Sequence, residues 1–138
     1  MTKAEIIVFM NANPNCHMAT VEGNKPHVRD MRIYRADENG IIIQTSKPKD
    51  LHKQLSENPE TELCFNDYKE GVQVRVSGRM ELVEDMELKQ EIAAKRAFVK
   101  SWVEEKGYDF IKIYRLSRGQ AQVWTMKLNF APKTYIQL

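Results

Sequence analysis

Between Gly40 and Pro59 the chain carries two hydroxyls and two ammonium groups at spacings that could grip an anion. Thr45 and Ser46 stand side by side, and Lys49 and Lys53 follow four residues apart, which puts both lysines on one helical face. Ahead of them Gly40-Ile41-Ile42-Ile43-Gln44 reads as a strand, because three β-branched residues follow a glycine. Pro48 suits a first helical turn, where its missing N–H costs little. Leu51 and Leu55 repeat at the spacing of a buried stripe. A strand, a hydroxyl-bearing turn and a helix start together offer unpaired backbone N–H groups and the positive end of a helix dipole, which is the chemistry of a phosphate seat. The same residues also describe an ordinary capped helix with a solvated basic face, so other parts of the chain must decide between the two.

Elsewhere reactive residue types are sparse. Cys16 and Cys64 form no C-x-x-C pair, and with no export leader ahead of them they are expected to be reduced thiols in a cytoplasmic protein. Cys16 adjoins His17, which invites a metal or a nucleophile, but neighbours on a strand point to opposite faces. No His, Cys or carboxylate pair stands at catalytic spacing, so no general acid, general base or metal site is assigned.

The 138 residues are 42% hydrophobic and 29% charged, values that exclude a disordered chain and predict one folded domain over residues 1–138. A net charge of +2 gives no reason to expect a nucleic-acid or membrane partner, and no run approaches the roughly 18 apolar residues of a membrane span. Arg29, Arg32, Arg35, Arg75 and Arg79 raise the possibility of nucleic-acid binding, but their strands lack the exposed aromatics that stack bases.

The elements that must position these groups follow in order. Thr2 to Asn11 has a capping Thr with Glu5 in the capping-box position and reads as an amphipathic helix. Cys16 to Val21 and His27 to Arg35 read as strands joined by a Gly23-Asn24 turn, and Ala36 to Gly40 as a turn into the isoleucine strand. Thr61 to Asn66 and Val72 to Val83 are further strands. In the second of these, Val72, Val74, Val76, Met80 and Leu82 share one face, and Gly78 marks a bend. Glu84 to Lys106 is helical with a break between Arg96 and Lys100. Phe110 to Leu116 and Ala121 to Met126 form a closing hairpin, and the tail from Ala131 to Leu138 is expected to lie over the barrel or a neighbour. Antiparallel strands without a full covering layer of helices must curl to protect their edges.

The order and wording of four stretches resemble the flavin-binding split-barrel proteins related to pyridoxamine 5′-phosphate oxidase, particularly the small general-stress and nitroimidazole-resistance-like members. They are Met18-Ala19-Thr20-Val21-Glu22-Gly23, Lys25-Pro26-His27-Val28-Arg29, the segment from Thr45 to Pro59, and Val72-Gln73-Val74-Arg75-Val76-Ser77-Gly78. The resemblance implies a mainly β fold with accessory helices, a six-stranded antiparallel FMN-binding split β-barrel that forms a homodimer with the flavin between subunits. It implies that Arg29, Thr45, Ser46 and Lys49 meet the FMN phosphate and that Gln73 approaches the isoalloxazine ring. Trp102, Tyr108 and Trp124 are candidates to wall that ring.

Two positions depart from the oxidase pattern: Tyr34 and Leu51 stand where the oxidases carry basic residues, so Lys49 or Lys53 must supply the missing helix charge. Asn129 to Leu138 lacks the arginine segment that holds the pyridoxal ring, which argues against oxidation of pyridoxamine phosphate. The expected activity is an FMN-dependent oxidoreductase that reduces a small organic substrate with NAD(P)H as electron donor. FAD or a deazaflavin are alternative cofactors. The alternative function is a non-catalytic module that binds or senses flavin, deazaflavin or haem, with His17, His27 and His52 as the available haem ligands.

Overall fold

The computed structural model describes residues 1–138. Helix α1 (Lys3–Ala12) begins at a complete capping box. The Glu5 N–H donates to Thr2 Oγ1 at 3.2 Å, and the Thr2 N–H donates to Glu5 Oε2 at 2.6 Å. It buries Ile6, Phe9 and Met10, each worth about 1.5–3 kcal/mol relative to exposure. Nine strands follow or intervene: β1 (Asn15–Glu22), β2 (Lys25–Arg32), β3 (Arg35–Asp37), β4 (Gly40–Ser46), β5 (Glu60–Asp67), β6 (Val72–Val83), β7 (Ile111–Leu116), β8 (Gln120–Trp124) and β9 (Ile136–Gln137). Three more helices complete the chain: α2 (Asp50–Glu57), α3 (Met86–Lys95) and α4 (Ala97–Lys106). None of the helices is long and apolar enough to cross a membrane.

Every pairing is antiparallel, and the main path runs β2-β1-β5-β6-β7-β4-β3, with β8 on β6 and β9 on β8. The long strand β6 belongs to both halves of the sheet. Its first part pairs with β5 and β8, and its last part, Met80 to Val83, pairs with β7. Gly78 sits close to the changeover, and a Cβ there would lie 3.1 Å from Leu116 Cδ2 and 3.2 Å from the Arg118 carbonyl oxygen. Leu82, grouped by alternation with the buried valines, is instead 45% exposed, because β6 has left the first half-sheet before reaching it.

Strand β4 is apolar without alternation because both of its faces are covered. Ile41 and Ile43 enter the larger core with α1, Leu51, Leu55, Phe65 and Val76, whereas Ile42 joins Leu88, Ile92, Val99, Ile111 and Ile113 beneath α3 and α4. The expected second strand from His27 to Arg35 is two elements. β2 ends at Arg32, Ile33 turns into the core, and Arg35–Asp37 pairs back onto β4. The Asn11 side chain satisfies this edge by donating to the Ala36 carbonyl at 2.8 Å and accepting from the Ala36 N–H at 3.0 Å. The strand count is therefore nine rather than six, the additions including the short β3 and β9. The break in the third helical segment falls at Arg96. Of the tail, Ile136 and Gln137 pair with β8, while Met126, Leu128 and Phe130, which precede it, are exposed.

Candidate functional site

A groove of about 720 Å³ opens between β2, the end of β4, the start of α2 and α4. Arg29, Thr45, Ser46, Lys49 and Lys53 all line it, so five of the six residues singled out from the sequence meet in one place. The register of β1 and β2 explains Arg29. Opposite Met18, and two residues from His27 opposite Thr20, it faces the interior side of the hairpin. Its Nη1 donates to Thr20 Oγ1 at 2.8 Å, and its Nη2 donates to Gln54 Oε1 at 2.5 Å. The Thr20 hydroxyl donates to the same Gln54 oxygen at 2.6 Å. Partial burial pushes the Arg29 pKa below its ordinary value, and Asp50 nearby acts the other way.

Thr45 and Ser46 end β4 and are buried. The Ser46 carbonyl accepts from the Lys49 N–H at 3.0 Å, closing the turn that carries Pro48. Pro48 thus precedes the helix rather than occupying its first turn, and Lys49 is the N-cap. Lys49 makes no side-chain capping bond, which leaves first-turn N–H groups of α2 without a side-chain partner beside the groove. Leu51 packs into the larger core, so the charge missing at that position cannot come from there, and Lys49 and Lys53 flank it in the groove. Tyr34 donates to Glu91 Oε2 at 2.6 Å and lies under the guanidinium groups of Arg35 and Arg96. Burial, then the hydrogen bond to Glu91, pushes the Tyr34 hydroxyl pKa up to about 12.

Three carboxylates, Glu22, Asp30 and Asp50, also line the groove and match its three cations in number. Asp30 is turned to His17 Nε2 at 3.2 Å, and Glu22 accepts from Gln54 Nε2 at 3.4 Å. Asp50, in the first turn of α2, is the carboxylate that acts on Arg29.

Gln73 is not brought to this groove. Alternation on β6 turns it away from buried Val74, and it donates to Asn66 Oδ1 at 3.0 Å in a separate hollow with Tyr68 and Trp124. Of the three aromatic candidates, Trp102 alone lines the main groove, Trp124 sits beside Gln73, and Tyr108 packs against the smaller core. Burial pushes the Cys16 thiol up to about 12, and neither cysteine is bonded to the other.

Sequence reasoning passed over Gln44 and Gln54, and considered His27 only as a haem ligand. Gln54 carried a usable signal, because it falls on the apolar side of α2 with Leu51 and Leu55, and a polar residue on a buried stripe needs partners. His27 lines the groove and its Nε2 is enclosed without a hydrogen-bond partner.

Comparison with known proteins gives the lineage. The chain is similar to a NimC/NimA family protein from Clostridium acetobutylicum at 20% identity, covering 98% of this chain and 92% of that one with a TM-score of 0.79. It is similar to general stress protein 26 from Bacillus anthracis at 15% identity, covering 99% and 98%, TM-score 0.73. It also resembles an FAD-binding protein from Mesorhizobium loti at 14% identity, covering 89% and 94%, TM-score 0.67. At these identities the likeness concerns the fold, which in these neighbours is the split barrel. No curated protein matches the chain in sequence. The family model for pyridoxamine 5′-phosphate oxidase matches residues 2–123. With that match spanning nearly all of its strands, the chain belongs to the pyridoxamine 5′-phosphate oxidase family.

Proposed function

We propose that this chain is a flavoprotein that holds FMN in the groove beside α2 and serves as an oxidoreductase for a small organic acceptor, with NAD(P)H as the electron donor. The observation that carries the reading is the convergence of Arg29, Thr45, Ser46, Lys49 and Lys53 with the uncapped start of α2. A guanidinium, two ammonium groups, two hydroxyls and backbone N–H groups are the donor set that suits one phosphate of charge near −2. That single seat favours FMN over FAD, and the donors outnumber the one carboxylate directed at them. When bound, the flavin supplies the hydride or electron transfer. The chain's own groups anchor the phosphate, and Trp102 walls the groove on its α4 side. Gln54 and Thr20 keep Arg29 aimed.

We further read the active form as a cytoplasmic homodimer. Val28 at the rim of the groove is 70% exposed and Phe130, just ahead of the tail, is 96% exposed, and apolar groups held in solvent along one chain suit contact with a second copy. A second reading, flavin binding without turnover, draws on the scarcity of acid–base groups in the groove, where His27 is the sole imidazole. Haem has less support, since His52 Nδ1 lies 2.7 Å from the Tyr114 hydroxyl and His17 is paired with Asp30. The absorption spectrum of purified protein tests these readings together. A yellow preparation bleached by NADH or NADPH under nitrogen supports the reductase, and a yellow one that stays oxidised supports the binding module. Colourless protein that takes up no added FMN contradicts both.

A further inference from the structure

Gln44 lies two residues beyond Ile42 on β4 and so faces the α3–α4 side of the sheet. Gln44 is 9% exposed and lines the groove with Met31 and Trp102. Arg96, where α3 gives way to α4, donates from Nη1 to Gln44 Oε1 and from Nη2 to the Ile33 carbonyl at 2.9 Å. Its guanidinium carbon stands 5.2 Å from the centre of the Tyr34 ring. An arginine has donors and no acceptor, so of the two ends of the Gln44 carboxamide only the oxygen can face it. The amide is thereby fixed one way round. Its nitrogen is not among the enclosed, unpartnered atoms of the fold, and the residue that carries it lines the groove.

We propose that Arg96 is a positioning residue that holds Gln44 with its amide N–H groups toward the groove, where they recognise a hydrogen-bond acceptor on the ring system of the bound flavin. This rests on the flavin reading above and divides recognition between two ends. Arg29 and the Thr45–Lys49 turn take the phosphate, and Gln44 takes a ring carbonyl or ring nitrogen. Without Arg96 the carboxamide is free to rotate and to present its oxygen, which repels the same acceptor. The break in the helix at Arg96 then has a purpose beyond packing: it delivers a cation to the back of a groove-lining amide.

The test titrates FMN and riboflavin into the full-length protein and into the variants R96M, Q44E and R29A, with the urea midpoint recorded for each. Gln44→Glu keeps the contact to Arg96 and removes the amide donors, so it separates ring recognition from folding should R96M be unstable. Q44E and R96M are expected to weaken both ligands by a common factor of about ten, leaving the FMN-to-riboflavin ratio unchanged and shifting the visible band of the bound flavin. R29A is expected to collapse that ratio. Wild-type affinities and spectrum in Q44E would overturn the ring contact alone, and the same result in a folded R96M would overturn the role of Arg96. Failure of the unaltered protein to take up either flavin would overturn this proposal together with the flavin reading.

Discussion

Arg29 enters the groove with two of its nitrogens already engaged, by Thr20 and Gln54, and that pre-organisation lowers the cost of fixing a long side chain around an anion. Each charged hydrogen bond to a phosphate is worth about 1.5–3 kcal/mol, so replacing Arg29 and Lys49 together by Ala should weaken FMN binding by several kcal/mol while sparing riboflavin. Flavin fluorescence titration of the double variant measures this, and unchanged FMN affinity would remove both residues from the site. Asp50 works against the anion from the first turn of α2. D50N is expected to tighten FMN binding roughly tenfold at low ionic strength, with the gain shrinking as salt screens it. Calorimetry at two salt concentrations reads both effects. His52, on the same helix, has its pKa lowered by burial, then by Lys112 and Lys47, against an opposing Glu84. A depressed imidazole pKa means the unfolded chain binds more protons as pH falls, so the stability His52 contributes is intact above about pH 6.5 and is lost as pH drops toward the folded value. H52Q should therefore show a shallower fall in urea midpoint than the unaltered protein between neutral and mildly acidic pH.

At the level of elements, the β4–turn–α2 unit was readable in advance because its signals are local: a β-branched run, a turn rich in hydroxyls and a leucine pair at helical spacing. The remaining walls of the groove were not. Gln54 acquires its role by meeting Arg29 from another element across the sheet, and Arg96 does so by reaching back to β4 from a helix break. The buried stripe of α2 marks Gln54 as needing a partner without naming Arg29, and nothing local to Arg96 points to β4. Gln73 shows the converse, since its neighbourhood matched the family pattern but strand alternation sends it to a different hollow in the same chain. The short strand β3 was divided between the end of the preceding strand (Arg35) and a turn (Ala36 and Asp37), because Arg35–Asp37 is too brief to alternate and is fixed by β4 and Asn11 instead. Gly40, which opens β4, has φ of +125°, and a Cβ there would sit 2.2 Å from the Leu116 carbonyl oxygen. Gly40→Ala should destabilise the fold by about 3 kcal/mol, read as a lowered urea midpoint. An unchanged midpoint would mean that the β4–β7 spacing is wrong.

Across the whole molecule, one antiparallel sheet divided at β6 gives two cores, one holding α1 and α2 and the other holding α3 and α4, and the groove lies where β4 separates them. Such a fold still leaves Met126 and Phe130 outside any core. Phe130→Asp should convert a dimer into a monomer in sedimentation equilibrium without lowering the stability of the single chain, and a dimer that persists would detach Phe130 from assembly. The claim on which the rest depends is that the Thr45–Lys49 turn and Arg29 together hold a phosphate, and a paired titration tests it most directly. FMN should bind the purified protein at least a hundredfold more tightly than riboflavin, the two ligands differing only in that phosphate. Equal affinities, or none for either, would contradict it.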